Sequence, residues 1–350
     1  MSNFWYTVLT VLIAIGFFEL IIFVHEFGHF IVAKMCGVRV NEFALGMGPK
    51  LIKFKGKETL YSLRLFPIGG FCAMEGETED SDDEKSFSRK APWRRLLIVS
   101  AGAVMNILLG LIIMFALLSR EGYLIGSTTV AGFQDENVSS QYGLMQGDVI
   151  KRINGMRIFT YRDISTAMSS DDDGVMDFVV ERDGEEHDLT IKFNVEEVNG
   201  VDMVIMDFKL YAVEKTPWTI IKHAFGETVS MVRAVLISLA DIITGRYALT
   251  DLSGPVGTVT VISQAVSVSF DSLLFLMAFI TINVGVFNLL PVPALDGSKN
   301  IFILIEMIFK KKVPEKWETI ITAVGFILLL ALIAFVTVND VINLDRYKLT

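Results

Sequence analysis

Histidine and cysteine are scarce in this 350-residue chain, with four of the first and two of the second. Cys36 and Cys72 have no CxxC spacing, so neither a disulfide framework nor a thiolate metal site is expected. No Lys or Arg precedes Lys34. The first apolar run therefore lacks the positive head of a secretory signal, and the reading is a retained membrane helix. Charge is unevenly spread, so the net −9 is a poor guide to partners, and a basic surface of the nucleic-acid-binding type is not suggested. Internal repeats are absent as well.

Apolar residues are what the chain has in quantity. It is 52% hydrophobic, with 26 Phe and 15 Met, and its mean hydropathy of +0.51 is far above that of a soluble domain. Four runs reach the roughly 20 residues that a bilayer span requires. They fall within residues 1–36, 92–119, 270–298 and 316–339. Residues 216–246 form a fifth, weaker candidate. Lys222, Glu227, Ser230, Arg233 and Asp241 recur along it at helical spacing, which suggests an amphipathic helix lying on a surface.

Basic residues crowd into the loop 34–95 and into 299–316, so both are expected on the cytoplasmic side. The N-terminus, the long 119–270 segment and the C-terminus then lie outside. Two inserts look soluble. Residues 37–91 carry Gly-Pro and Gly-Gly turns between alternating runs such as LIKFK and YSLRL, the pattern of a small β-sheet beside the membrane. Their acidic end, GETEDSDDEKSFSRKAP, reads as a polar, mobile linker. Residues 126–197 mix short β-rich runs with turn signals and include GLMQGDVIKRING.

Within the first span stands HEFGH, residues 25–29. Ionisable groups deep in a bilayer each cost about 2.5–3.5 kcal/mol on insertion scales, so their presence calls for a function. Positions i and i+4 share a helix face, and two imidazoles so placed can reach one zinc ion. Glu26 beside the first His is placed to work on a water at that ion as general base. A catalytic zinc needs a third ligand, and Asp296 in NLLPVPALDG is the candidate. Counted from the outer ends of their spans, at about 1.5 Å per residue, the histidines and Asp296 lie at a common depth of roughly 30–37 Å. Pro291 and Pro293 break the helix there, which a membrane tolerates only where the backbone is buried or lines a cavity. That common depth requires residues 216–246 not to cross the bilayer.

The chain resembles the site-2 protease family of intramembrane zinc metalloproteases, in its bacterial branch with one PDZ domain between the second and third spans. The resemblance rests on HEFGH, EFALGMGPK, LRLFPIGGF, SAGAVMN, GLMQGD, SGPVG and NLLPVPALDG, in that order. It implies a polytopic α-helical membrane protein of four transmembrane helices, with a membrane-associated β-sheet and an inserted extracytoplasmic PDZ domain. It implies Zn2+ on His25, His29 and Asp296, Glu26 as general base, and substrate contacts from Asn106, Asn288 and the strand around Gly69, Gly70 and Phe71. The expected partners are single-pass membrane proteins in the plasma membrane, such as anti-sigma factors or remnant signal peptides, shortened first by another protease. Ala103 departs from a Pro common in the family, and Ser298-Lys299 from a Gly followed by Arg or His. Glu19 lies outside the family motif and lines a path or pairs with a neighbouring helix. A membrane zinc carrier or a non-catalytic PDZ scaffold are the competing readings. A carrier would have no need of Glu26.

Overall fold

The computed structural model describes residues 3–77, 81–135, 137–171, 173–198, 201–246 and 252–343. Four of its helices are long and apolar enough to cross a membrane, as the runs of apolar residues require. They are α1 (Asn3–Met35), α2 (Pro92–Ser119), α6 (Phe270–Leu289) and α8 (Glu315–Ile342). Between them lie α3 (Tyr161–Ser169), α4 (Pro217–Thr244), α5 (Pro255–Val268), α7 (Asp296–Phe309) and strands β1 to β10. The chain divides into two compact units, residues 1–113 with 241–350, and residues 114–240.

The first unit holds a small sheet of two long antiparallel strands, β1 (Val40–Lys55) and β2 (Leu60–Met74). Both bend at glycines, so residues 42–45 face 70–73 on one side and 60–63 on the other. Gly46 and Gly69 take φ of 81° and 85° at these bends, a region that side chains with a Cβ rarely adopt. An aromatic ladder fixes the sheet to α1. Phe23 and Phe30 of the helix each pack edge-on against Phe43, and Phe30 also meets Tyr61.

The acidic stretch after β2, expected to be mobile, is in its described part pinned to this sheet. Asp83 pairs with Arg39, and Lys85 pairs with Glu58. The Lys85 carbonyl accepts the Arg39 N–H at 3.0 Å. Residues 78–80 of that stretch lie outside the described residues.

Two helices of the first unit do not show in the apolar runs. The N-terminus of α5 is held by Asp340 of α8, whose carboxylate accepts the Gly254 and Gly257 N–H groups at 3.2 and 2.8 Å. The SGPVG stretch thus opens a helix whose orphan donors are satisfied by a neighbour's acid. Helix α7 begins at Asp296, directly after the Pro291–Pro293 break.

In the second unit β3 (Gly126–Phe133), β4 (Val149–Ile153), β6 (Val175–Arg182), β7 (Glu185–Lys192) and β10 (Phe208–Ala212) form one antiparallel sheet in the order β10-β3-β4-β6-β7. The short β5 (Met156–Arg157) pairs with β4, and β8 (Val195–Val198) pairs with β9 (Val201–Val204). The sheet therefore does not end at residue 197, because β10 returns to pair with β3. Leu144, Ile150, Ile164, Met176, Phe178 and Phe208 fill its core. Asp148 of GLMQGD is fully buried and accepts both Arg182 Nε at 2.7 Å and Nη2 at 2.8 Å. Burial pushes its carboxyl up, but the Arg182 hydrogen bonds outweigh that and hold it below its ordinary value.

Helix α4 is amphipathic, and Glu227, Ser230 and Arg233 of its polar stripe turn toward protein. Glu227 is 2% exposed and takes Arg162 Nε at 2.7 Å, Ser230 accepts the Thr160 hydroxyl at 3.1 Å, and Arg233 pairs with Asp163. Trp218, Ile221, Phe225 and Leu236 are the exposed side. Periodicity places polar residues on one face but cannot say which face is covered.

Candidate metal centre

His25 and His29 sit one turn apart on α1, with rings 4.8 Å apart and edge to face. Their Nε2 atoms are 3.2 Å apart. Asp296 Oδ2, at the first position of α7, lies 2.9 Å from His25 Nε2 and 3.2 Å from His29 Nε2. Among the described residues these three form the one group of His, Cys, Asp or Glu side chains with donor atoms all within 4.8 Å. Zinc bonds of about 2.0–2.1 Å place tetrahedral ligands about 3.3 Å apart, so the observed triangle is close to one face of such a tetrahedron. Two imidazoles and a carboxylate are also a donor set that zinc accepts. The residues fit the ion. The Asp296 side chain remains 26% exposed, which leaves an approach to the fourth position.

Local sequence explains each placement. The i, i+4 spacing stacks the histidines on one face of α1. The break at Pro291–Pro293 frees the chain from α6, and Ala294 takes a φ of 75° before α7 starts. Two ion pairs then hold α7. Arg95 of α2 meets Glu306 at 2.5 Å, and Lys299 meets Glu77, just past β2, at 2.8 Å. The Ser298-Lys299 departure thus keeps a cation in use beside Asp296.

Helix α2 backs both imidazoles. His29 Nδ1 donates to the Ile98 carbonyl at 2.8 Å. A Cβ on Gly102 would stand 2.4 Å from His29 Nε2 and 2.8 Å from His25 Nε2, so only glycine fits there. Asn106 is fully buried, with Nδ2 3.3 Å from His25 Nδ1. Sequence reasoning singled out Asn106 but missed Ile98 and Gly102. A fourfold spacing within LLIVSAGAVMN was the available signal, and it acquires meaning only once α2 is docked on α1.

The remaining expected residues gather less tightly. Glu26 follows His25 on α1, and a Cβ on Gly70 would lie 3.3 Å from its Cγ. The strand segment 70–74 therefore runs directly past Glu26. Among the described residues that segment pairs on one side only, with residues 40–45. Phe71 lies under the Arg64 guanidinium, 4.7 Å from ring centre to Cζ. Arg64 is fixed in turn by Glu42 at 2.9 Å. Burial pushes the Glu42 carboxyl up, but hydrogen bonds from Lys50, Ser62 and Arg64 prevail and hold it at about 2. Asn288 turns its amide onto its own helix, donating to Val284 O at 3.0 Å. Among the described residues, buried Glu19 Oε1 has no hydrogen-bond partner.

Known proteins bear on the same residues. The model of peptidase family M50 matches residues 12–332. A zinc-metalloprotease candidate of Clostridium perfringens is 39% identical over 95% of this chain and 98% of its own length. The regulator of sigma-W protease RasP of Bacillus subtilis is 28% identical over 95% of this chain and 98% of its own. The zinc metalloprotease RasP of Shouchella clausii is 29% identical over 96% and 99%. With HEFGH and Asp296 inside the matched stretch, this membrane protein belongs to peptidase family M50, the site-2 protease family, and is a zinc metalloprotease.

Proposed function

We propose that the protein hydrolyses peptide bonds within or beside the spans of single-pass membrane proteins, with His25, His29 and Asp296 as zinc ligands and Glu26 as general base. The observation that carries this reading is the convergence of two elements at one point. The three donor atoms lie within 4.8 Å of one another, and the adjoining Glu26 lies against a strand segment paired on one side only.

Zinc bound there supplies Lewis acidity toward a carbonyl oxygen and lowers the pKa of water. Glu26 accepts the proton of the attacking water and returns it to the leaving amine. A peptide bond inside a helix is closed to attack. The segment at Gly69, Gly70 and Phe71 would hold an unwound substrate extended by adding it as a strand beside Glu26. Asn288 of α6, close in sequence to the proline break, is a polar group offered to that substrate. The chemistry is read as lying near the cytoplasmic ends of the spans in a bacterial plasma membrane, a reading supported by the basic residues of loops 34–95 and 299–316.

The second unit is read as a PDZ domain outside the membrane, admitting substrates already shortened by another protease. Its β10-β3-β4-β6-β7 sheet, the α3 helix and the Asp148-anchored GLMQGD turn support that reading. The exposed apolar side of α4 suits a bilayer surface. Bacillus RasP is named as a regulator of sigma-W, which favours anti-sigma factors over remnant signal peptides as the substrate class.

The test is a zinc-loaded, reconstituted full chain offered a single-pass reporter with a helix-breaking residue in its span. Cleavage is expected, with product termini inside or beside the span by mass spectrometry. Zinc binding without cleavage across a panel of reporters would favour a zinc carrier or a non-catalytic PDZ scaffold.

A further inference from the structure

The two imidazoles face the metal position through Nε2, so each must carry its proton on Nδ1. A buried N–H without an acceptor is costly. For His29 the acceptor is the Ile98 carbonyl, at 2.8 Å. For His25 the side-chain atom in reach of Nδ1 is on the Asn106 amide, whose Nδ2 lies at 3.3 Å. Two donors facing one another satisfy neither. The Asn106 Oδ1 meanwhile is buried and has no hydrogen-bond partner among the described residues. Amide oxygen and nitrogen share one shape, and their assignment follows from the network. Turning the amide by half a rotation resolves both faults, because Oδ1 then accepts the His25 Nδ1–H.

We propose that Asn106 is the positioning residue for His25: its side-chain oxygen holds the ring proton on Nδ1 and so presents Nε2 to zinc. Ile98, Gly102 and Asn106 then form a single stripe of α2 at i, i+4 and i+8. The first fixes one imidazole by a backbone carbonyl and the second gives both rings room. The third fixes the other imidazole by an amide. Full burial of Asn106 agrees with this role. The proposal rests on zinc at His25, His29 and Asp296, but not on the identity of the substrate.

The test measures zinc affinity on the full-length chain by competition with a chromophoric chelator, which needs no turnover. Asn106→Ala and the similarly sized Asn106→Leu should each bind zinc about 10–100-fold more weakly. Asn106→Asp, which keeps an acceptor, should bind close to wild type. Unchanged affinity in Ala and Leu, with a raised KM for a reporter, would overturn the proposal in favour of a substrate contact. Wild-type affinity in Asn106→Leu together with weakened binding in Asn106→Asp would overturn it in favour of simple packing. Independently of any variant, the zinc-loaded wild type should show His25 protonated at Nδ1 in a long-range 1H–15N spectrum, and metal on Nδ1 would overturn it too. If no variant cleaves any reporter, the zinc affinities still decide this point, so failure of the protease reading remains distinguishable.

Discussion

Gly102 bears on the metal centre through what it lacks. A methyl group there would overlap both ring nitrogens, at 2.4 and 2.8 Å. Gly102→Ala is therefore expected to force α2 off α1 or turn the imidazoles aside. The zinc content of the purified protein should fall well below one per chain, although no ligand is altered. The helical content by circular dichroism should stay near wild type, because Ala favours a helix. That His25 and His29 lie together was legible in the sequence because their geometry is local: one turn of one helix sets it. Asp296 was legible through depth and a proline break. Gly102 and Ile98 were not, since their role exists only in the docking of a second helix. Lys299, a family departure in the sequence, finds its reason in Glu77.

At the scale of elements, the bent β1–β2 sheet is held by charges on its inner side. Glu42 accepts from Lys50 at 2.8 Å, Ser62 at 2.6 Å and Arg64 at 2.9 Å. Its pKa falls from an ordinary 4.5 to about 2 on folding. A depressed acid stabilises the fold above its unfolded value and loses that contribution as pH falls through the folded one. Protection of the sheet amides in hydrogen exchange should thus weaken from about pH 4.5 down toward pH 2. In Glu42→Gln the protection should be lower at neutral pH and lack this acid step.

Helix α4 offers a second test of packing. Removing Arg162 leaves Glu227 buried and without its partner, which is expected to cost about 3–5 kcal/mol. Thermal unfolding of Arg162→Ala should show an early transition, and Arg162→Lys should recover part of it. The sequence displayed the polar stripe of α4 but not its partner, because Thr160, Arg162 and Asp163 lie 65 to 70 residues earlier. Helix α5 escaped for a similar reason. Its N-terminal acceptor is Asp340, far along the chain. In Asp340→Ala the freed donors should lower stability by about 0.5–2 kcal/mol, the range of a lost helix cap, measured as the midpoint of denaturant unfolding.

At the scale of the whole molecule, apolar length marked the four membrane helices, because a bilayer constrains length more strictly than a globular core does. The β-rich second unit was visible as turns and alternating runs, whereas the return of β10 to β3 is a long-range pairing that no local pattern carries. The two parts of the proposed chemistry lie far apart in the chain, HEFGH near its start and Asp296 toward its end, and only the folded helices bring them together.

The central claim is that Glu26 works on water at a zinc held by its neighbours. The most direct measurement compares wild type with Glu26→Gln, both zinc-loaded in bilayers, for metal content and for cleavage of a single-pass reporter. Equal zinc occupancy with cleavage reduced by about 10²–10⁴-fold, the range of a lost general base, is the predicted result. Cleavage by Glu26→Gln at the wild-type rate would contradict the account.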